Sequence, residues 1–330
     1  MIVIRDWFEE SREGKAFGIL TVAQNFLWVI TSVNIGVFQD QLGMGWRGVY
    51  WYSGGLSLLI AILTLIFLPG SPSEALKPPR RSGTREREEE REEEVEEASE
   101  IVNCACQKLR EVKSAEKMTP KNAFKYFATS WHFWLMFISL CCYTYVFELT
   151  EWTSVYIYDV LPDLSYGKGN ILGASWAIGG TFAALFYGFL YDVLSWRSNS
   201  IFLVGFSILL TGICTAMSLT VTYSWPLMLF YQLSFGALLV NPFYLPSSFY
   251  ATRFGGDKYC GTLSGIFDGS GYALSMLMDA SAGPLSDRWG WGSVMLLITL
   301  FCLIATITLA MFQYVAAPHK EEFDTKFVVN

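Results

Sequence analysis

Four carboxylates interrupt otherwise apolar runs of this sequence: Glu148, Glu151, Asp268 and Asp279. At the centre of a membrane helix an aspartate costs roughly 2.5–3.5 kcal/mol on insertion scales, so each is a candidate for function. Glu148 and Glu151 are three residues apart and would share a helix face. Two like charges held close in a low dielectric do not both ionise easily, so the pair could bind and release a proton. The alternative for Glu151 is plain solvation near a membrane surface. Asp268 and Asp279 are eleven residues apart, close to three helical turns, which sets them on one stripe. Asp268, flanked by Gly265, Gly269 and Gly271, is the better placed to face a cavity, whereas Asp279 could pair with Arg288. A structural bond to a neighbouring helix is the alternative for both. Gln24, Asn25, Asn34, Gln232 and Asn241 offer amides to a polar solute, or else bond helix to helix.

Other chemistries find little footing. His132 and His319 are the two histidines, and Cys104 and Cys106 lack the second pair of ligands a zinc site needs, so no metal is expected. The other five cysteines lie in apolar runs, where a thiol acts as a small hydrophobe. There is no Gly-x4-Gly-Lys-Ser/Thr phosphate loop, nucleophile elbow or redox pair, so neither an enzyme, an ATP-driven pump nor a bound cofactor is expected. A channel would favour rings of repeated polar residues, which are not evident.

The elements that must position the acids are long and apolar. Of 330 residues, 52% are hydrophobic and 16% charged, with mean hydropathy +0.35; a soluble domain carries about a quarter charged residues. Residues 70–125 hold 25 of the 53 charged side chains. This is the pattern of a membrane protein interrupted by a wet loop, with the lipid bilayer as its solvent. The net charge of −7, with no basic patch outside that loop, gives no case for nucleic acid. Eight stretches reach the ~20 residues needed to cross a bilayer: 17–38, 48–68, 133–157, 171–191, 200–221, 225–251, 261–285 and 292–314. Backbone polar groups in lipid must be satisfied internally, which predicts an all-α, polytopic protein. No lysine or arginine falls inside these stretches; alternation puts 20 basic residues on one side and three on the other. The positive-inside rule then makes the N-terminus, central loop and C-terminus cytosolic.

The expected domains are a two-helix unit (1–68), a charged cytosolic loop (69–125), a six-helix bundle (126–318) and a cytosolic tail (319–330). Within the loop, Arg85–Glu97 reads as a solvated run. Val95, Ala98, Val102, Ala105, Leu109 and Val112 then form a narrow apolar seam that predicts an exposed helix. Glycine-rich stretches suit close helix packing, and Pro242 and Pro246 should kink the sixth span. Gly14–Ile19 in the first span is echoed by Gly261–Ile266 in the seventh, and each run leads to a Trp-Gly turn about 30 residues on. Parallel repeats of this kind mark transporters. If the echo is a repeat, four further helices should precede Met1, completing a six-plus-six design.

On these residues the chain resembles the major facilitator superfamily, from that family's fifth helix to its twelfth. Gly188-Phe-Leu-Tyr-Asp192, ending at Arg197, is similar to the family's gating motif; the resemblance implies that Asp192 latches a neighbouring helix start in one access state. Within the superfamily the chain looks most like the organophosphate:phosphate antiporters. That similarity rests on Ala23-Gln24-Asn25, on Glu151-Trp152-Thr-Ser-Val-Tyr156 and on the Gly290-Trp291 turn. Gln24 stands where that family has a substrate histidine, and Val146 near where it has a phosphate-binding arginine.

The expectation is a secondary transporter of a small polar solute, with an organic anion or sugar phosphate among the candidates, working by alternating access and coupled to a proton. Gln24, Asn25, Glu148, Asp268 and Asn241 would bind the solute, Glu148 and Glu151 would carry the proton, and Gly188, Asp192 and Arg197 would gate. The rivals are phosphate exchange without proton coupling, and a truncated or non-transporting membrane protein whose cavity needs a partner.

Overall fold

The computed structural model describes residues 13–40, 43, 45–67 and 120–327. Among them every regular element is a helix: α1 (Glu13–Asp40), α2 (Trp46–Phe67), α3 (Pro120–Thr129), α4 (Trp131–Phe147), α5 (Leu149–Val160), α6 (Tyr166–Val193), α7 (Trp196–Leu219), α8 (Trp225–Trp289) and α9 (Trp291–Phe327). The Arg85–Glu97 run, the apolar seam after it, and Cys104 and Cys106 lie outside the described residues.

Side-chain chemistry sets several boundaries. The Ser165 and Ser195 hydroxyls accept from the backbone N–H groups of Lys168 and Ser198 and so cap the starts of α6 and α7. Gly290, at φ +77°, turns the chain sharply from α8 into α9, a conformation that favours glycine.

Seven described stretches are long and apolar enough to cross a membrane: Gly18–Ile35, Arg47–Ile66, Trp131–Val160, Gly167–Tyr191, Arg197–Leu219, Trp225–Thr252 and Trp291–Tyr314. They match seven of the eight sequence-predicted spans. The remaining one, residues 261–285, is helical throughout but more polar, because two aspartates, five glycines and four serines dilute its apolar content.

Residues 261–285 form the return arm of α8. A straight helix of this length, 65 residues, would span about 100 Å, yet α8 folds back on itself. The Tyr250 and Phe267 rings lie 5.7 Å apart, although 17 residues of straight helix would separate them by about 25 Å. A Cβ on Gly255 would stand 2.7 Å from the Cys260 backbone nitrogen, which places the reversal there. The turn expected between the sixth and seventh spans is therefore a bend in one helical run.

The two arms of α8 pack with α4, α6, α7 and α9 into a bundle, while α1 lies along α6 and α2 touches little besides α1. Backbone against backbone locks α6 to α8: Gly179 meets the Leu233 carbonyl, and Gly236 meets the Trp176 carbonyl. Where α4, α7 and α9 meet, hydroxyls replace apolar packing. The Tyr143 and Ser207 hydroxyls are 2.5 Å apart, and the Thr306 hydroxyl donates to the Ser207 carbonyl at 3.2 Å. On α2, Trp51 and Leu65 are 83% and 85% exposed, apolar groups suited to lipid.

Candidate functional site

Helical bonding lapses for one residue between α4 and α5, at Glu148, whose backbone N–H donates to the Thr144 carbonyl while its own carbonyl accepts from Glu151. Breaks of this kind inside a span are where transporters build their sites. One turn earlier, the Thr144 hydroxyl lies 2.5 Å from where a Gly271 Cβ would stand, so the return arm of α8 runs tight against α4. That approach sets Glu148 opposite the stripe Asp268, Tyr272, Ser275 and Asp279, residues spaced four, three and four apart on α8.

The stripe and the two glutamates face one another. Ser275 stands within hydrogen-bonding reach of Glu148, and Asp279 is an electrostatic neighbour of both Glu148 and Glu151. Tyr272 stands among Asp268, Glu148 and Glu151. The Trp152 indole N–H donates to Asp279 Oδ1 at 2.9 Å, fixing that carboxylate through α5. Asp279 is thus bonded to Trp152, with Glu148 and Glu151 close by, in place of the expected partner Arg288, whose guanidinium lies over the Trp289 ring.

A second group joins α1 to α8. The Gln24 amide donates to the Tyr244 hydroxyl at 3.0 Å, across 220 residues of sequence. Tyr244 is held by Phe243 and Phe147, whose rings lie 4.5 and 6.3 Å from its own. Trp176 fills the space between Phe147 and Trp28, at 5.6 and 5.8 Å. Tyr244 also neighbours Tyr272 and Asp268. Polar groups therefore neighbour one another in turn, from Gln24, which bonds Tyr244, to Tyr272 and Glu148.

Two expected ligands point elsewhere. Asn25 is 1% exposed and faces Gly180 of α6, with its amide nitrogen unpaired. Asn241 is 2% exposed and donates to the Ala183 carbonyl at 3.3 Å, tying α8 to α6. Both serve helix contacts, as small amides in lipid-embedded bundles often do. Within the expected gating motif, Gly188 is buried: a Cβ on Gly18 of α1 would stand 3.3 Å from its Cα. Arg197 is exposed, and the side chain of Asp192 lies outside the described residues.

Tyr244, Tyr272 and Ser275 were not among the candidates. Tyr272 and Ser275 were legible, because they sit between the two aspartates on the same stripe. Nothing local marks Tyr244; it enters through the fold alone. No group of three or more metal-ligating side chains forms among the described residues.

The family model of the Major Facilitator Superfamily matches residues 1–278. No curated protein matches the chain.

Proposed function

The chain belongs to the Major Facilitator Superfamily, and from that premise we propose that it carries a small polar solute across the bilayer by alternating access, with Glu148 as the proton carrier. One observation carries this reading: the series of neighbouring polar groups from Gln24 through Tyr244, Asp268 and Tyr272 to Glu148 and Glu151. It joins α1, α4 and α8, three helices that need separate only slightly to open a route. Glu148 sits at the helix break, where a change of protonation and a change of local backbone can be linked.

The solute class follows from charge. With its neighbour Asp279 the line carries four carboxylates, and no lysine or arginine lies in the eight apolar stretches. A neutral or positively charged solute is favoured over an organic anion or sugar phosphate, which needs cationic ligands. Kinship with the organophosphate:phosphate antiporters is proposed at the level of scaffold. In the shared run Glu151–Tyr156, Trp152 anchors Asp279, and Tyr156 packs 5.1 Å from Trp291. These are contacts that hold the bundle. The division into a two-helix unit, central loop and six-helix bundle, with cytosolic termini, belongs to the same proposal.

The test uses the full chain in proteoliposomes, with a solute panel and an imposed pH gradient. Glu148→Gln should abolish uptake driven by the gradient while solute exchange continues. Unchanged pH dependence in that variant removes Glu148 from the mechanism.

A further inference from the structure

The chain enters the apolar stretch Trp131–Val160 through an elbow. α3 stops at Ser130, whose extended backbone (φ −80°, ψ 124°) interrupts the helical run, and α4 starts at Trp131. Three contacts set this corner. The Trp134 indole N–H donates back to the Ala128 carbonyl at 2.7 Å. Phe127 is buried in the core of the bundle, its ring 6.5 Å from that of Phe133. Tyr250 of α8 neighbours Tyr126 and stands within hydrogen-bonding reach of Ser130. α3 is therefore held against the end of the bundle by one face, at the level where the apolar stretch begins.

The surface left outside is amphipathic. At about 100° per residue, Lys125 lies about 160° around the helix from Phe127, and Phe124 about 60°. Lys125 is accordingly exposed, and Phe124 is 65% exposed beside the buried face. Lys121 occupies the position one turn before Lys125, and no acidic residue falls between Pro120 and Phe147. On α4, Trp131, Trp134 and Ile138 are spaced three and four apart and form an exposed apolar stripe that begins at the elbow. Among the described residues neither the Lys125 ammonium nor the Trp131 indole N–H has a partner. A cation and a neutral donor thus stand at the head of an apolar stripe.

A free phosphate would use the donors and leave the stripe bare, whereas a phospholipid uses both. We propose that the elbow between α3 and α4 is a docking surface for an anionic phospholipid, distinct from the transport route. Lys125 and Trp131 take the phosphate, and the acyl chains lie along Trp134 and Ile138. Tryptophan suits that depth, because its ring is apolar and its N–H is not. The lysines select the headgroup by charge. A choline headgroup brings its own cation and gains less from them.

Thermal unfolding of the purified full chain in detergent, read by tryptophan fluorescence, tests this against added lipid. Phosphatidylglycerol should raise the midpoint saturably and by more than phosphatidylcholine does, while glycerol phosphate should leave it unchanged. The double variant Lys121→Gln, Lys125→Gln should need about tenfold more phosphatidylglycerol for the same rise. Lys168→Gln, at the start of α6, should respond as the unmodified chain does. An equal rise with both lipids, a rise with glycerol phosphate alone, or a response that survives the double variant overturns the proposal. Equal loss in Lys168→Gln would report net charge and overturn it too. Should the double variant fail to fold, Thr129→Glu, which sets an opposing charge one turn after Lys125, should weaken the response in its place. The readout is stability rather than uptake, so failure here leaves the Glu148 test unaffected.

Discussion

Tyr143 is almost wholly buried where α4, α7 and α9 meet, and its hydroxyl contacts that of Ser207. Tyr143→Phe should cost about 1 kcal/mol, the usual net worth of one hydrogen bond, because Ser207 keeps its donation to the Leu203 carbonyl at 2.9 Å. Thermal unfolding in detergent, followed by tryptophan fluorescence, would read this as a downward shift in midpoint. At this scale, chemical type was legible before position was. Glu148, Glu151, Asp268 and Asp279 stood out because ionisable groups are rare in apolar runs, and the fold brings all four near Tyr272 or Glu148. Asn25 and Asn241 stood out as hydrogen-bonding amides but turned to neighbouring helices, since an uncharged amide is less costly to bury than a carboxylate and its presence does not imply a cavity. Asn25 even leaves its donor unpaired against Gly180.

Among the elements, glycine decides how closely helices approach, but only some glycines do so. Gly236 meets the Trp176 carbonyl, while a Cβ on Gly212 would find no atom within 4 Å. Gly236→Val should therefore destabilise by about 3 kcal/mol or more through overpacking, and Gly212→Ala should be neutral or slightly stabilising. The fraction of monodisperse protein recovered by size-exclusion chromatography would separate the two. The echo between the first and seventh spans shows why sequence could not tell these apart. A Cβ on Gly18 would stand 3.0 Å from the Ala184 carbonyl oxygen, whereas one on its counterpart Gly265 would find no atom within 4 Å. The bend in α8 is a second case: Gly255-Gly256 permits a reversal, yet helical hydrogen bonding runs through it, so the turn expected there is not a break. Gly255→Leu should set its side chain against the Cys260 backbone and lower the yield of folded protein in the same assay.

For the molecule as a whole, the solvent is lipid. Seven described helices are long and apolar enough to cross a bilayer, and much of their apolar surface faces outward. The chain should remain with membranes through alkaline carbonate washing and require detergent for release; recovery in the supernatant would contradict the reading. Outward-facing residues such as Leu65 and Tyr50 should tolerate exchange for other apolar side chains, because lipid tails do not discriminate shape as a packed core does.

Composition and run length alone determined the helical class, the number and placement of apolar stretches and the identity of the ionisable groups within them. These follow from a local requirement, that backbone and side chains be compatible with hydrocarbon over about 20 residues. Only the tertiary structure decided which faces meet: Gln24 with Tyr244, Trp152 with Asp279, Asp159 with Trp291, and Asn25 against Gly180. The physical reason is that helices in lipid associate through shape and scattered hydrogen bonds, without a hydrophobic stripe to mark the inner face. A residue's partner in such a bundle depends on segments a hundred or more positions away, and no local pattern records them.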